Sequence, residues 1–108
     1  DHVIDYLDPA WPDQVKQLTA SRGADVIYDP VGGDTFDLST KCIASEGRLL
    51  IIGFASGRIP TLAANRALIK NFSVIGAVWG GFALPNPSYL AETQQALIHL
   101  LAQAHLKP

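Results

Sequence analysis

The stretch Arg48-Leu49-Leu50-Ile51-Ile52-Gly53 decides the fold of this chain. It is an almost unbroken apolar run that ends in glycine. Apolar runs of this length are typical of strands that are covered on both faces, as in parallel sheets. Arg48–Gly53 therefore predicts an inner strand of an α/β protein, and the flanking segments are interpreted from it.

Two further strands are predicted upstream of this run. Asp25–Asp29 is rich in β-prone residues and is stopped by Pro30, while Val3–Tyr6 is a short β-branched and aromatic segment. Between these strands, Trp11, Val15 and Leu18 recur at helical spacing.

A second helix is predicted between Asp29 and Arg48. Phe36, Thr40 and Ile43 share one helical face, Asp34 is a suitable N-cap, and Gly47 is expected to end the helix.

Downstream of Gly53, the pattern predicts a short helix at Asn65–Lys70 and a strand at Phe72–Trp79. A long terminal helix carries an apolar stripe made of Leu90, Thr93, Leu97, Leu100, Leu101 and Ala104. Strands that alternate with helices in this way predict an α/β fold, a partial Rossmann-type doubly wound and mostly parallel sheet of about four strands with flanking helices.

Three glycine-rich segments follow predicted strands, at Val31–Gly33, Gly53–Gly57 and Trp79–Gly81. Ligands of open parallel sheets bind outside the carboxyl ends of the strands. Glycine lets the backbone approach a ligand closely and offer N–H donors. Each segment alone could be an ordinary turn, but three at one edge favour a ligand site.

Composition bounds the function. The 108 residues are 48% hydrophobic and 17% charged, which is typical of one small globular domain. The net charge of −2 gives no reason to expect nucleic acid or an acidic membrane as a partner, and no apolar run approaches the roughly 18 residues that span a bilayer. Cys42 stands alone and suits a reducing compartment, so we expect a cytoplasmic protein.

No residue is predicted to be catalytic or to bind a metal. His2, His99 and His105 lack the spacing of a metal site, and Cys42 is expected to be a small core thiol within a helix. Because the chain lacks methionine, we expect it to be an internal piece of a longer protein.

Six segments together resemble one protein family: His2–Tyr6, Gly23–Asp34, Gly47–Gly57, Asn65–Arg66, Leu68–Lys70 and Gly76–Gly80. They are similar to the zinc-free quinone oxidoreductase branch of the medium-chain dehydrogenase/reductases. The resemblance implies a full-length enzyme with a Rossmann-type cofactor domain and a GroES-like catalytic domain. Such an enzyme transfers hydride from NADPH to a quinone or another enone.

The resemblance also implies that residues 1–108 are the C-terminal part of the cofactor domain, without its first two strands. The sequence contains no G-x-G-x-x-G turn, which is the pyrophosphate anchor of such domains. We therefore expect weak or no NADPH binding by the chain alone.

By the same resemblance, ten residues are predicted to contact the cofactor. Tyr6, Pro30, Val31 and Gly32 correspond to positions at the adenosine end, Gly53, Phe54 and Ala55 to the loop under the nicotinamide ribose, and Val78, Trp79 and Gly80 to the stretch that meets the carboxamide.

Three residues keep alternative interpretations. Tyr6 could be a half-buried strand tyrosine, and Trp79 could be a core or interface aromatic. Asp29 could meet a ribose hydroxyl or serve as a turn-former before Pro30.

The resemblance also implies that the last strand of the cofactor domain pairs with its twin in a homodimer. The uncharged segment Phe72–Trp79 is the candidate, and burial in a dimer would protect an open β-prone edge from aggregation. Two other functions stay open: a non-catalytic dimerisation or interaction module, and a fragment of an enoyl reductase or zinc alcohol dehydrogenase of the same superfamily.

Overall fold

The computed structural model describes residues 1–107 as two compact units, Asp1–Ala77 and a second unit that begins at Val78. The first unit contains α1 (Trp11–Leu18), β1 (Ala24–Asp29), α2 (Gly33–Cys42), β2 (Ile43–Ile51), α3 (Ala64–Lys70) and β3 (Ser73–Gly76). The second contains α4 (Trp79–Ala83) and α5 (Pro87–Ala102).

The sheet is parallel, with the strand order β1-β2-β3. This confirms the α/β fold and the inner position of the Arg48–Gly53 run. Within residues 1–107 the sheet has three strands, so the expectation of about four was wrong by one.

The core lies on one face of this sheet. Strand register places Ile27, Leu49 and Val74 side by side in one row, and Leu49 is 0% exposed. Phe36 of α2 and Phe72 belong to the same buried cluster. The helices that contribute to this cluster therefore cover the face that carries Leu49.

The opposite face is open. Tyr28, Leu50 and Ile75 form the next row across the sheet, because neighbouring side chains of a strand point to opposite faces. Tyr28 is 66% exposed, Ile75 is also exposed, and Leu50 is half-buried. The prediction that the Arg48–Gly53 strand is covered on both faces was therefore wrong for the described residues, since no helix packs fully over this row.

The predicted strand Val3–Tyr6 is also wrong. Residues 1–5 have no regular structure, Val3 and Tyr6 are exposed, and the sheet ends at β1. A β-prone segment stays a strand only when a neighbour completes its hydrogen bonds.

Helix α2 begins and ends earlier than predicted. Gly32 is the N-cap and no side chain caps the helix, so Asp34 lies in the first turn and is not the cap. The chain turns extended at Ile43, and Gly47 lies inside β2. The register skips between Ala24↔Ile43 and Val26↔Arg48. This bulge explains why Ile43, which fits a helical face, belongs to a strand.

The predicted strand Phe72–Trp79 is shorter in the structure. It spans Ser73–Gly76, and Trp79 is the first residue of α4. The Phe82 amide donates to the Val78 carbonyl at 3.3 Å, so the backbone has already turned into a helix where the strand was expected to continue.

The second unit consists of α4 and α5. The rings of Phe82 and Tyr89 meet edge to face with centroids 4.8 Å apart. The terminal helix is confirmed, but its apolar stripe is not covered, because α5 has no buried residue. No helix of residues 1–107 has the length and hydropathy needed to cross a membrane.

Candidate functional site

The segments that follow β1 and β2 are joined by backbone hydrogen bonds at the carboxyl edge of the sheet. The Ala55 amide donates to the Pro30 carbonyl at 3.0 Å, and the Ser56 amide donates to the Val31 carbonyl at 3.0 Å. In return the Gly33 amide donates to the Arg58 carbonyl at 3.1 Å. Two of the three predicted glycine-rich exits thus form one continuous unit, as expected for neighbouring parallel strands.

Asp29 fixes the first of these turns. The residue is only 3% exposed, and its Oδ1 atom accepts hydrogen bonds from the amides of Val31 and Gly32, each at 2.9 Å. A carboxylate that accepts amides two and three residues ahead is a turn-former. This confirms the turn interpretation of Asp29.

Gly32 and Gly33 are required by packing between the two turns. Both have positive φ, +69° and +57°. A Cβ on Gly32 would lie 2.9 Å from Cδ1 of Phe54, and one on Gly33 would lie 2.6 Å from Oγ of Ser56. Their amides are donated within the protein, so the expectation that these glycines offer N–H groups to a ligand was wrong.

Arg58 ties the second turn to α2. Its Nη2 atom donates to Oδ1 of Asp34 at 2.7 Å and to Oδ2 of Asp37 at 2.6 Å. The pKa of Arg58 is raised, first by the hydrogen bond to Asp37 and further by the one to Asp34. Asp34, expected to be a cap, is instead a partner of this arginine.

A cleft of about 490 Å³ opens beside the joined turns. Its walls come from the N-terminal segment, the turn after β1, the start of α2 and the turn after β2. The lining is mainly apolar and consists of Tyr6, Leu7, Pro9, Val31, Gly32, Asp34, Thr35, Leu38, Ala55 and Ser56.

Four of the ten predicted cofactor residues line this cleft: Tyr6, Val31, Gly32 and Ala55. Tyr6 is exposed and outside the sheet, so its alternative as a half-buried strand tyrosine was wrong. Sequence reasoning missed Leu38, although its position on α2 just beyond the turn could have indicated it.

Pro30, Gly53 and Phe54 lie beside the cleft and do not line it. Pro30 accepts the Ala55 amide, and a Cβ on Gly53 would lie 3.3 Å from the Pro30 carbonyl. The ring of Phe54 faces Gly32, at the seam between the turns. These three residues hold the two turns together.

Val78, Trp79 and Gly80 belong to the second unit. Trp79 is 60% exposed, Val78 is also exposed, and the space around Gly80 is open. The alternative that Trp79 is a core aromatic of this chain is therefore wrong, while a role at an interface stays a prediction.

The thiol of Cys42 and the possible metal ligands are the remaining candidates for chemistry. Cys42 is 1% exposed, and burial raises the pKa of its thiol. Cys42 is the last residue of α2, which confirms the prediction of a core thiol within a helix. Among residues 1–107 no group of three or more histidine, cysteine or acidic side chains could hold a metal ion.

The family model described as "Zinc-binding dehydrogenase" matches residues 1–103. The chain belongs to this family. The chain is 41% identical over 105 residues to the quinone oxidoreductase-like protein 2 homolog of Nematostella vectensis. That alignment covers 97% of the chain but 29% of the relative.

Solved structures agree with this family. A quinone oxidoreductase of Pseudomonas syringae pv. Tomato DC3000 aligns with a TM-score of 0.85 and 30% identity, over 96% of this chain and 32% of that one. The Escherichia coli quinone oxidoreductase complexed with NADPH aligns with a TM-score of 0.85 and 25% identity, over 98% and 32%.

Within the family that this model describes, these relatives place the chain in the zinc-free quinone oxidoreductase branch. This is the branch that the sequence resemblance predicted. The chain spans about a third of the length of the relatives that it matches.

Proposed function

We propose that this chain is the C-terminal part of the cofactor domain of an NADPH-dependent oxidoreductase that reduces quinones or other enones. The observation that carries the proposal is the cleft at the carboxyl edge of the parallel sheet, lined by Tyr6, Val31, Gly32 and Ala55. Ligands of such sheets bind at this edge, and these are positions at which the family resemblance implied cofactor contact.

The cleft suits one end of the cofactor. Its apolar walls, with Leu7 and Leu38, match the flat uncharged adenine ring. They do not match the pyrophosphate, because the amides of Val31, Gly32 and Gly33 are donated inside the protein. A bound nicotinamide cofactor would supply the hydride, and the chain's own residues would bind and orient it.

The open face of the sheet supports the idea that more of the domain covers it. Tyr28 and Ile75 leave an apolar row uncovered on β1 and β3. Soluble proteins rarely expose large continuous apolar patches without a partner. A second layer of helices from the rest of a doubly wound domain would bury this row.

Hydride transfer by the full-length protein that contains this chain tests the proposal. We expect oxidation of NADPH, followed by its absorbance, on addition of a quinone. Val31→Asp places a carboxylate in the apolar cleft and should raise the KM for NADPH about tenfold or more, because an unpaired charge is costly to bury. Gln17→Glu adds the same charge on the exposed side of α1 and serves as the matched control.

Two results would contradict the proposal: no oxidation of NADPH with any quinone or enone, or equal KM values for the two variants. The folding of Val31→Asp is checked by its thermal unfolding, so that a loss of structure is not taken for a loss of binding.

The isolated chain should bind NADPH weakly or not at all, because it contains no pyrophosphate anchor. Calorimetric titration of NADPH into the chain measures this. A micromolar dissociation constant would show that residues 1–108 hold the cofactor by themselves and that the division of the domain proposed here is wrong.

A further inference from the structure

A second pocket lies at the opposite edge of the sheet. It has a volume of about 270 Å³ and lies where β1 and β2 begin, with Gly23 and Ile43 in its wall. None of the residues predicted to contact the cofactor lines it. We call it the basic pocket.

Four cationic residues from different parts of the first unit line the basic pocket, and no acidic residue does. They are Lys16 of α1, Arg22 of the turn before β1, Lys41 of α2 and Lys70 of α3. Charge repulsion from Lys16 adds to burial in lowering the pKa of Lys70. The ammonium of Lys16 therefore stands close enough to Lys70 to disfavour the charge of Lys70.

Two of these cations have carboxylate partners outside the pocket. Lys16 lies 3.5 Å from Asp13, and Arg22 pairs with Asp25. Both pairs are at the surface, where such contacts are weak and are readily exchanged. In the part of the chain that the structure describes, no carboxylate lies within 4.0 Å of the ammonium of Lys41 or Lys70.

One feature opposes anion binding here, because the pocket lies at the C-terminal end of α2, where the helix dipole is negative. Lys70 offsets the negative end of this dipole, because its Nζ atom donates to the carbonyls of Thr40 and Lys41 at 3.0 and 2.8 Å. The last turn of α2 is thus capped by a cation, and one N–H of Lys70 is left for another acceptor.

We infer that the basic pocket binds a small phosphate-bearing anion. Four cationic residues line a space of about 270 Å³, just below the roughly 300–1,000 Å³ of sites for drug-sized ligands, so the pocket has room for a phosphoryl group but not for a large ligand. A phosphate presents several charged oxygens at once, and lysine and arginine are its usual partners. A lone carboxylate has two oxygens and would leave part of this charge unmatched.

The experiment is a titration of the 108-residue chain with inorganic phosphate at constant ionic strength, followed by the amide NMR signals of Gly23 and Ser45. Both residues line the pocket. We expect saturable shifts at these amides and no comparable shifts at Gly32 or Ala55, at the other edge of the sheet. A parallel titration with AMP distinguishes the source: tighter binding than inorganic phosphate indicates a nucleotide phosphate, and equal binding indicates the free ion.

Variants make the test specific. Lys41→Gln and Lys16→Gln each remove one pocket charge from a surface position and should weaken phosphate binding about three- to tenfold. Lys107→Gln removes the same charge outside the pocket and should leave it unchanged. The inference is overturned if neither phosphate nor AMP gives saturable shifts, or if all three variants behave alike. None of these outcomes depends on whether the full-length protein reduces quinones.

Discussion

The buried carboxylate of Asp29 accepts the amide of Gly32 at 2.9 Å, at the point where β1 turns into α2. The same oxygen holds the amide of Val31. Because Val31 and Gly32 line the cleft, the turn that shapes the candidate site is fixed by a residue that does not line it. Asp29 is therefore a positioning residue for this wall.

Asp29→Ala should lower the free energy of unfolding by roughly 1.5–3 kcal/mol, since hydrogen bonds to a charged group are lost and two amides lose their acceptor. Urea unfolding of the 108-residue chain measures the change. Asp25→Ala is the control, because its carboxylate is exposed and pairs with Arg22 at the surface. Equal effects of the two substitutions would show that the turn does not depend on Asp29.

Alanine substitutions at three glycines distinguish the effect of backbone strain on stability from the effect of steric contact. At Gly57 the φ is +80° and nothing lies within 4 Å of a new Cβ, so Gly57→Ala introduces backbone strain alone. It should lower the free energy of unfolding by about 1 kcal/mol. Gly32→Ala adds contact with Phe54 and should cost about 1–3 kcal/mol more. Gly76→Ala has open space and no positive φ, so it should be neutral or slightly stabilising.

Thermal unfolding of the three variants measures the order of their stabilities directly. If Gly32→Ala were no worse than Gly57→Ala, the close packing of the two turns would be disproved.

Ser39 offers a test of the core. It is 1% exposed, and its Oγ atom is buried without a hydrogen-bond partner in residues 1–107. A buried hydroxyl without a partner loses its hydrogen bonds to water and gains none in the protein. Ser39→Ala should therefore leave the free energy of unfolding unchanged or raise it by up to about 1 kcal/mol. Thr40→Ala is the contrast, because Thr40 Oγ1 donates to the Asp37 carbonyl at 2.7 Å. A marked loss of stability in Ser39→Ala alone would mean that its hydroxyl is bonded.

The homodimer through Phe72–Trp79 stays a prediction, now centred on β3. Val74 packs into the core, so Val74→Lys would damage the fold itself. Ile75 faces the open side and is 40% exposed, which makes Ile75→Lys the better probe. Sedimentation at micromolar concentration should show a dimer for the native chain and a weaker dimer, by about tenfold or more, for Ile75→Lys. A native chain that is monomeric throughout would contradict the prediction.

The parts of the fold that could be predicted from sequence are those decided by local pattern. The run Arg48–Gly53 identified the inner strand, and Pro30 after Asp29 marked the turn that the carboxylate fixes. The cleft was anticipated through Val31, Gly32 and Ala55, because parallel strands bring their exits to one edge.

The errors arise where a distant partner decides the structure. Val3–Tyr6 has the composition of a strand but no neighbour to pair with among residues 1–107. Ile43 fits the pattern of a helix and of a strand equally well, and the bulge beside Ala24 places it in the strand. Gly32 and Gly33 lie at the carboxyl edge of the sheet, as predicted, but the predicted reason for glycine at these positions was wrong. Only the structure shows that Phe54 and Ser56 fill the space where side chains of Gly32 and Gly33 would lie.

Hydrogen exchange in the full-length protein, with and without saturating NADPH, tests the central claim most directly. If the cleft beside the two joined turns holds the cofactor, amides in residues 31–35 and 54–58 should exchange more slowly with NADPH bound, while those around Tyr28 inside β1 should not change. Unchanged exchange in both turns, with protection confined to other parts of the protein, would contradict the assignment of this cleft.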